Sequence, residues 1–250
     1  MTDHLHNRLP FAPWADPRTR RLPGVLPVEG DDWLRVDEAY GGQMRLRDRL
    51  IAEVPGRVHA LLPEGRAAAG ELLDRVVAGE LPRLGFSVTG QEVTRPDGVR
   101  VRLDRAEPLL TLGRLCQNDF CLHLKQGDEH VLVGAILCFP AGWTLAEKIG
   151  RPLSRIHGPV QSYDDDIARR VQRMFDAIRP GQPLWRANGL IYTETDLFYP
   201  RTEAAPRKRP EDGAGYVRSE RQCFVKLAVS GAVVFSIHTY LLRQEDLTAE

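Results

Sequence analysis

The chain has 250 residues, 42% of them hydrophobic and 27% charged, with 34 basic residues against 34 acidic ones. That length buries a sizeable core and suits one large domain or two small ones. A formal net charge of zero removes any electrostatic case for nucleic acid or an anionic membrane, and no apolar run approaches the ~20 residues that span a bilayer.

Taken in chain order, the first forty residues are rich in proline and charge, with Leu9, Pro10, Phe11 and Trp14 among them. Such an arm is expected to lie along a surface, giving an extended arm over 1–40 and one domain over 41–245. Residues 1–16 carry no apolar stretch of the secretory type. Helical spacing begins near Tyr40, where Met44, Leu46, Leu50 and Ile51 are spaced among arginines. A second helix is predicted over 64–79, with Leu72, Leu73, Val76 and Val77 on one face and Gly79 and Pro82 ending it. The period then becomes two. Strands are predicted over 86–94 and 99–103, around the turn signal Pro96-Asp97-Gly98, and again over 109–115 and 130–139. The run 130–139 is nearly all apolar, as expected of a central strand. Asp164, Asp165 and Asp166 suit a helix N-terminus. That helix should run to about Ile178 with Val171, Met174, Phe175 and Ile178 inward. A further strand is predicted over 189–193. Segment 202–215, with Arg207-Lys208-Arg209, reads as an exposed loop.

The last two strands, 217–229 and 232–241, can be paired through Ser230-Gly231 as a two-residue turn. Val229 then faces Ala232, Cys223 faces His238 and Gln222 faces Thr239. One sheet face carries Phe224, Val233, Phe235 and Ile237, and continues into Gln222, Glu220 and Arg218. Polar groups extending an apolar stripe mean either a pocket wall or a hairpin end in solvent. Antiparallel strands flanked by helices imply the α+β class.

Cys116, Cys121, Cys138 and Cys223 match no zinc or iron–sulfur spacing. They are expected to be reduced thiols in or near the core of a cytoplasmic protein. Phosphate-binding, dinucleotide, zinc-protease and serine-elbow motifs are missing. The polar segment between Phe139 and Val160 stands out. His157 precedes Gly158-Pro159, so its backbone should leave a helix or short turn there. A histidine held in that way is either a metal ligand or proton carrier, or a structural hydrogen-bonding group.

Several blocks fall in a recognisable order over 110–241. They are Leu112, Leu115, Gln117 and Asp119; Phe139-Pro140 with Trp143, Lys148 and Gly150; Ile156-His157 with Pro159-Val160; Arg186 and Asn188; Arg218, Glu220, Arg221 and Gln222; and Ile237, His238, Thr239 and Tyr240. In this pattern the chain resembles the haem-dependent oxidative N-demethylase alpha-subunit family. The resemblance implies a PAS-like antiparallel sheet flanked by helices, with a helical N-terminal extension, holding haem b and its iron. It implies a monooxygenase-like oxidation of a small secondary amine, such as dimethylamine, with O2. NADPH, FMN and a 2Fe–2S centre would act only through partner subunits. His157 would be the axial ligand. Lys148 and Arg155 would pair with haem propionates, and the alternative is plain surface charge. Arg218, Glu220 and Gln222 would line the distal pocket, and the alternative for Arg218 and Glu220 is a cross-strand ion pair. The chain departs from the pattern at Gly189, where a tryptophan is expected. The competing function is a haem-binding sensor or carrier without turnover.

Overall fold

The computed structural model describes residues 3–14, 17–20, 22–158, 164–205 and 215–247. Pro159, Val160 and the basic triplet 207–209 lie outside them. The helices are α1 (Pro17–Arg20), α2 (Tyr40–Glu53), α3 (Pro55–Val58), α4 (Arg66–Arg75), α5 (Pro108–Leu115), α6 (Leu145–Lys148), α7 (Leu153–His157) and α8 (Asp165–Ala177). The strands are β1 (Leu26–Pro27), β2 (His59–Leu61), β3 (Ser87–Thr89), β4 (Glu92–Thr94), β5 (Arg100–Arg102), β6 (Asp119–Gln126), β7 (Glu129–Ile136), β8 (Leu184–Ala187), β9 (Leu190–Tyr192), β10 (Tyr216–Lys226) and β11 (Val233–Arg243).

An eight-stranded antiparallel sheet runs β1-β8-β10-β11-β6-β7-β2, with β9 also pairing to β10. The α+β expectation holds. Alternation along each strand divides the residues between two faces. Phe120, Leu122, Val225 and Val234 enter the main core with Leu72 and Leu112. Cys121, Leu132 and Ile237 face the other way, as do Phe224 and Val233, beneath Leu153, Val171 and Phe175. The run read as a central strand is β7, interior to the sheet between β6 and β2.

Five expectations are corrected. The run 109–115 is not a strand but α5. Pro108 occupies its first turn, and Leu109, Leu112 and Leu115, three residues apart, are all fully buried. Its Gly113 sits so close to Ile136 that a Cβ would lie 2.6 Å from that side chain. The predicted strand over 86–94 is split by Gly90, at φ +60°, into the hairpin β3–β4. Together with β5 it makes a separate three-stranded sheet. Neither Gly79 nor Pro82 ends the second helix. The chain continues through a π-turn over Val76–Glu80 and a 3-10 turn over Leu81–Leu84, and stops at Gly85, φ +82°.

The fourth correction concerns the last hairpin, whose register differs by two residues. Gln222 pairs with Ile237 and Cys223 with Ser236. The connection is a wider loop closed by Leu227 N–H donating to Ala232 O, with Glu71 accepting from the N–H groups of Val229 and Ser230, each at 2.7 Å. A two-residue shift preserves facing, so the stripe from Phe235 to Gln222 stays on one side. The segment read as a surface arm also reaches inward. Trp33 and Leu34 are buried, and Trp33 donates to Glu80 at 2.8 Å.

Candidate functional site

Between the second sheet face and helices α6, α7 and α8 lies a cavity of about 570 Å³, within the usual range for small-molecule and cofactor sites. Its floor includes Cys121, His123, Leu132, Phe235 and Ile237, and its roof Leu153, Ile156, Val171, Met174 and Phe175. Polar residues gather there from distant parts of the chain, among them Lys148, His157, Arg186, Asn188, Glu220 and Gln222, with Glu147, Arg201, Thr202 and Glu203 beside them.

His157 is placed by a short chain of backbone contacts. Gly150, at φ +73°, turns the chain so that its N–H donates to Leu132 O at 2.8 Å. Leu132 N–H in turn donates to Arg151 O at 3.0 Å, and Pro152 bridges Val131. The start of α7 is thereby tied to β7, and buried Leu153 anchors it. One helical turn later His157 Nδ1 lies 2.9 Å from Leu153 O. A carbonyl can only accept, so Nδ1 carries the hydrogen and Nε2 is the basic nitrogen. Burial pushes the His157 pKa down, favouring neutral imidazole.

The two cations expected at propionates, Lys148 and Arg155, converge on Glu203. Lys148 donates to Glu203 at 2.6 Å and to Ile156 O at 2.9 Å, while Arg155 grips the same carboxylate with two bonds of 3.0 and 2.9 Å. Hydrogen bonds from Arg155 and then Lys148 hold Glu203 down at about 2.

Glu220 and Gln222 line the cavity, and Arg218 does not. Arg218 is fully buried at the end of the same stripe and donates to Leu197 O at 3.0 Å and Phe139 O at 2.5 Å. Its guanidinium lies 3.8 Å from Glu220. Glu220 accepts from Asn188 at 3.1 Å and from Gln222 at 3.0 Å. Gln222 accepts from Arg186 at 3.0 Å. Arg221, one residue off the stripe, points to the other face and lies over Trp185.

Several cavity residues lay outside the predicted site, His123, Arg186, Asn188 and Glu203 among them. His123, on β6, is buried against Phe175, and its Nδ1 has no hydrogen-bond partner. Burial pushes its pKa down to about 3, with His130 and His157 adding to the shift. Arg186 on β8 was visible only as part of a motif block; no strand was predicted there. Other blocks proved architectural. Asp119 accepts from Cys138 N–H, Phe139 N–H and Arg47, at 2.7, 2.8 and 2.6 Å. At Gly189 an added Cβ would stand 3.4 Å from the Trp14 ring, so the N-terminal arm's tryptophan packs against the position where the resemblance led to the expectation of one.

All four cysteines are buried and unbridged. Away from the cavity, His6, Asp37 and His238 cluster closely enough to hold a metal, but their hydrogen bonds argue against it. Leu241 N–H donates to His6 Nδ1 at 3.2 Å, so Nε2 carries the hydrogen and donates to Asp37 at 2.9 Å. Burial opposes ionisation of Asp37, but bonds from His238 and His6 outweigh it and hold the carboxyl well below the usual range.

A largely apolar cavity with neutral imidazoles in its wall and cations at its edge suits a mostly apolar group that carries acidic substituents. The haem-dependent oxidative N-demethylase, alpha subunit-like family model matches residues 24–250, and the chain belongs to that family. Among the described residues no helix is long and apolar enough to cross a membrane.

Proposed function

We propose that this chain is the haem-carrying subunit of an oxidoreductase that demethylates a small secondary amine, on a PAS-like sheet with a helical N-terminal extension. The observation that carries the reading is one cavity bringing His157 and Glu220 together, from positions 63 residues apart. The residues fit the group. Apolar side chains would line the porphyrin, and His157 Nε2 would be its ligand, oriented by the Nδ1 bond to Leu153 O. Lys148 and Arg155 would hold propionates on exchanging away from Glu203. When bound, haem supplies iron for oxygen chemistry.

This chain's own residues position the substrate. Glu220 offers a carboxylate to a cationic amine, and Asn188 and Gln222 fix its orientation. Arg218 steadies the stripe from behind through Phe139 O and Leu197 O. Having neither a dinucleotide fingerprint nor iron–sulfur spacing, the chain would receive electrons from NADPH through partner subunits bearing FMN and a 2Fe–2S centre, in the cytoplasm.

The test is haem reconstitution of the purified chain. A Soret band is expected, and His157→Ala should abolish it. A wild-type chain with no band sinks the proposal. A band unchanged in the variant moves the ligand to His123, which lines the same cavity. With a reductase supplied, amine-dependent formaldehyde release supports the enzyme, and spectral change without product supports the carrier.

A further inference from the structure

Buried charge normally comes with its counter-charge, because an isolated ion loses hydration without compensation. The fully buried arginines of this protein follow that rule. Arg47 holds Asp119, and Arg95 holds Asp48 and Asp97. Arg186 breaks it. It lines the cavity, and no carboxylate among the described residues comes within ion-pairing distance. Among the described residues its only hydrogen-bond partner is the neutral amide oxygen of Gln222, and its buried Nε has none. Burial lowers its pKa, with only the more distant Glu220 opposing.

The neighbours explain how the charge is kept open. Gln222 is the cross-strand partner of Arg186, and Glu220 follows two residues along β10. The amide oxygen of Gln222 faces Arg186 while its NH2 donates to Glu220. One amide therefore separates a cation from an anion on the same cavity wall, roughly 6–8 Å apart by strand geometry. Without that spacer the two side chains would be free to neutralise each other.

We infer that Arg186 is a carboxylate anchor inside the cavity, and that Arg186 and Glu220 together fit it to a secondary amine that carries a carboxylate, of the N-methyl amino acid class. The carboxylate would take the two-pronged face of Arg186, and the ammonium would lie against Glu220. The substrate class rests on the amine-oxidising reading above, whereas the carboxylate site does not. A haem propionate offers the same chemistry, so the experiment separates the two sources.

Binding of N-methylglycine and of dimethylamine to the full chain is measured by calorimetry, before and after haem loading. Haem and its dimethyl ester are titrated by the Soret band. N-methylglycine should bind wild type more tightly than dimethylamine does. Arg186→Gln should weaken it by about 10- to 100-fold without weakening dimethylamine or haem, while Arg186→Lys, which keeps the charge, should lose less. Arg186→Gln should melt no lower than wild type, since it removes a charge that lacks a counter-ion. If the variant weakens haem but not the dimethyl ester, with N-methylglycine unaffected, the carboxylate is a propionate and the substrate class is overturned. If the variant binds all four ligands as wild type does, or merely melts lower, the anchor is overturned. A wild type that binds N-methylglycine but shows no Soret band breaks the haem reading alone.

Discussion

Arg47 is fully buried and Arg186 half-buried in a cavity wall, and their surroundings differ in kind. On the helix-packed side, Arg47 is fully buried between α2 and α5. It has Asp119 at 2.6 Å, the carbonyl of Gly113 at 3.0 Å and the Phe139 ring at 5.3 Å. On the cavity side, Arg186 has a single amide oxygen. Asp119 meets three donors, whereas Glu220 meets two amides and only a distant guanidinium. The first region spends its charges on holding the fold. The second leaves them available to a ligand, which is where violations of local satisfaction are expected in a functional protein.

The sharpest way to break this contrast is to remove a charge from the packed side. Asp119→Ala should destabilise the chain by about 3–5 kcal/mol, because it strands Arg47 in the interior. Chemical denaturation measures this, and a loss below about 1 kcal/mol would mean that water or a shifted side chain replaces Asp119.

Acid should act on the cavity side through His123. Its folded pKa of about 3 lies below its ordinary value of 6.5. The stabilisation is therefore complete above pH 6.5 and is lost as pH falls toward 3. A few kcal/mol should disappear across that window, and much less in His123→Phe. Parallel acid curves for the two proteins would contradict this.

Glu220→Gln sharpens the comparison from the other direction. It should cost under about 1 kcal/mol of stability, since the isosteric amide can still accept from Asn188. Affinity for a cationic amine should nonetheless fall about tenfold or more. Equal affinity in both proteins would remove Glu220 from the site.

The smallest effect expected is at Glu71, which caps the 228–231 loop from α4. Glu71→Ala should cost about 1 kcal/mol through the two N–H groups it releases, read as a small drop in melting temperature. The cavity ligands should bind as before.

Much of the candidate site was legible because strand alternation is a local property. The stripe Arg218-Glu220-Gln222-Phe224 follows from period two, and it survived a register displaced by two residues. The histidine before Gly158 was legible for a similar reason, since a glycine–proline step marks where a helix must stop. Arg186 was hidden. Leu184–Ala187 is short and only half-buried, with no alternation to mark it as a strand. The region 109–115 misled because a run of leucines satisfies either period, and only Pro108 and the tight approach of Gly113 to Ile136 favour a helix there.

Sequence alone determined the class of fold, the α8 helix with its Asp164 cap, the facing of the last hairpin and the family membership. Each depends on spacing within a few residues or on an ordered series of short blocks. Only the tertiary structure decided which polar residues share a cavity. Asp119 and Glu220 look equally functional as letters, but one ends at backbone N–H groups and the other at an open wall. Arg218, the first residue of the predicted distal set, lies behind the cavity while Arg186 lies in it. A charge's role is set by the counter-charges around it, and those come from strands and helices far away in the chain.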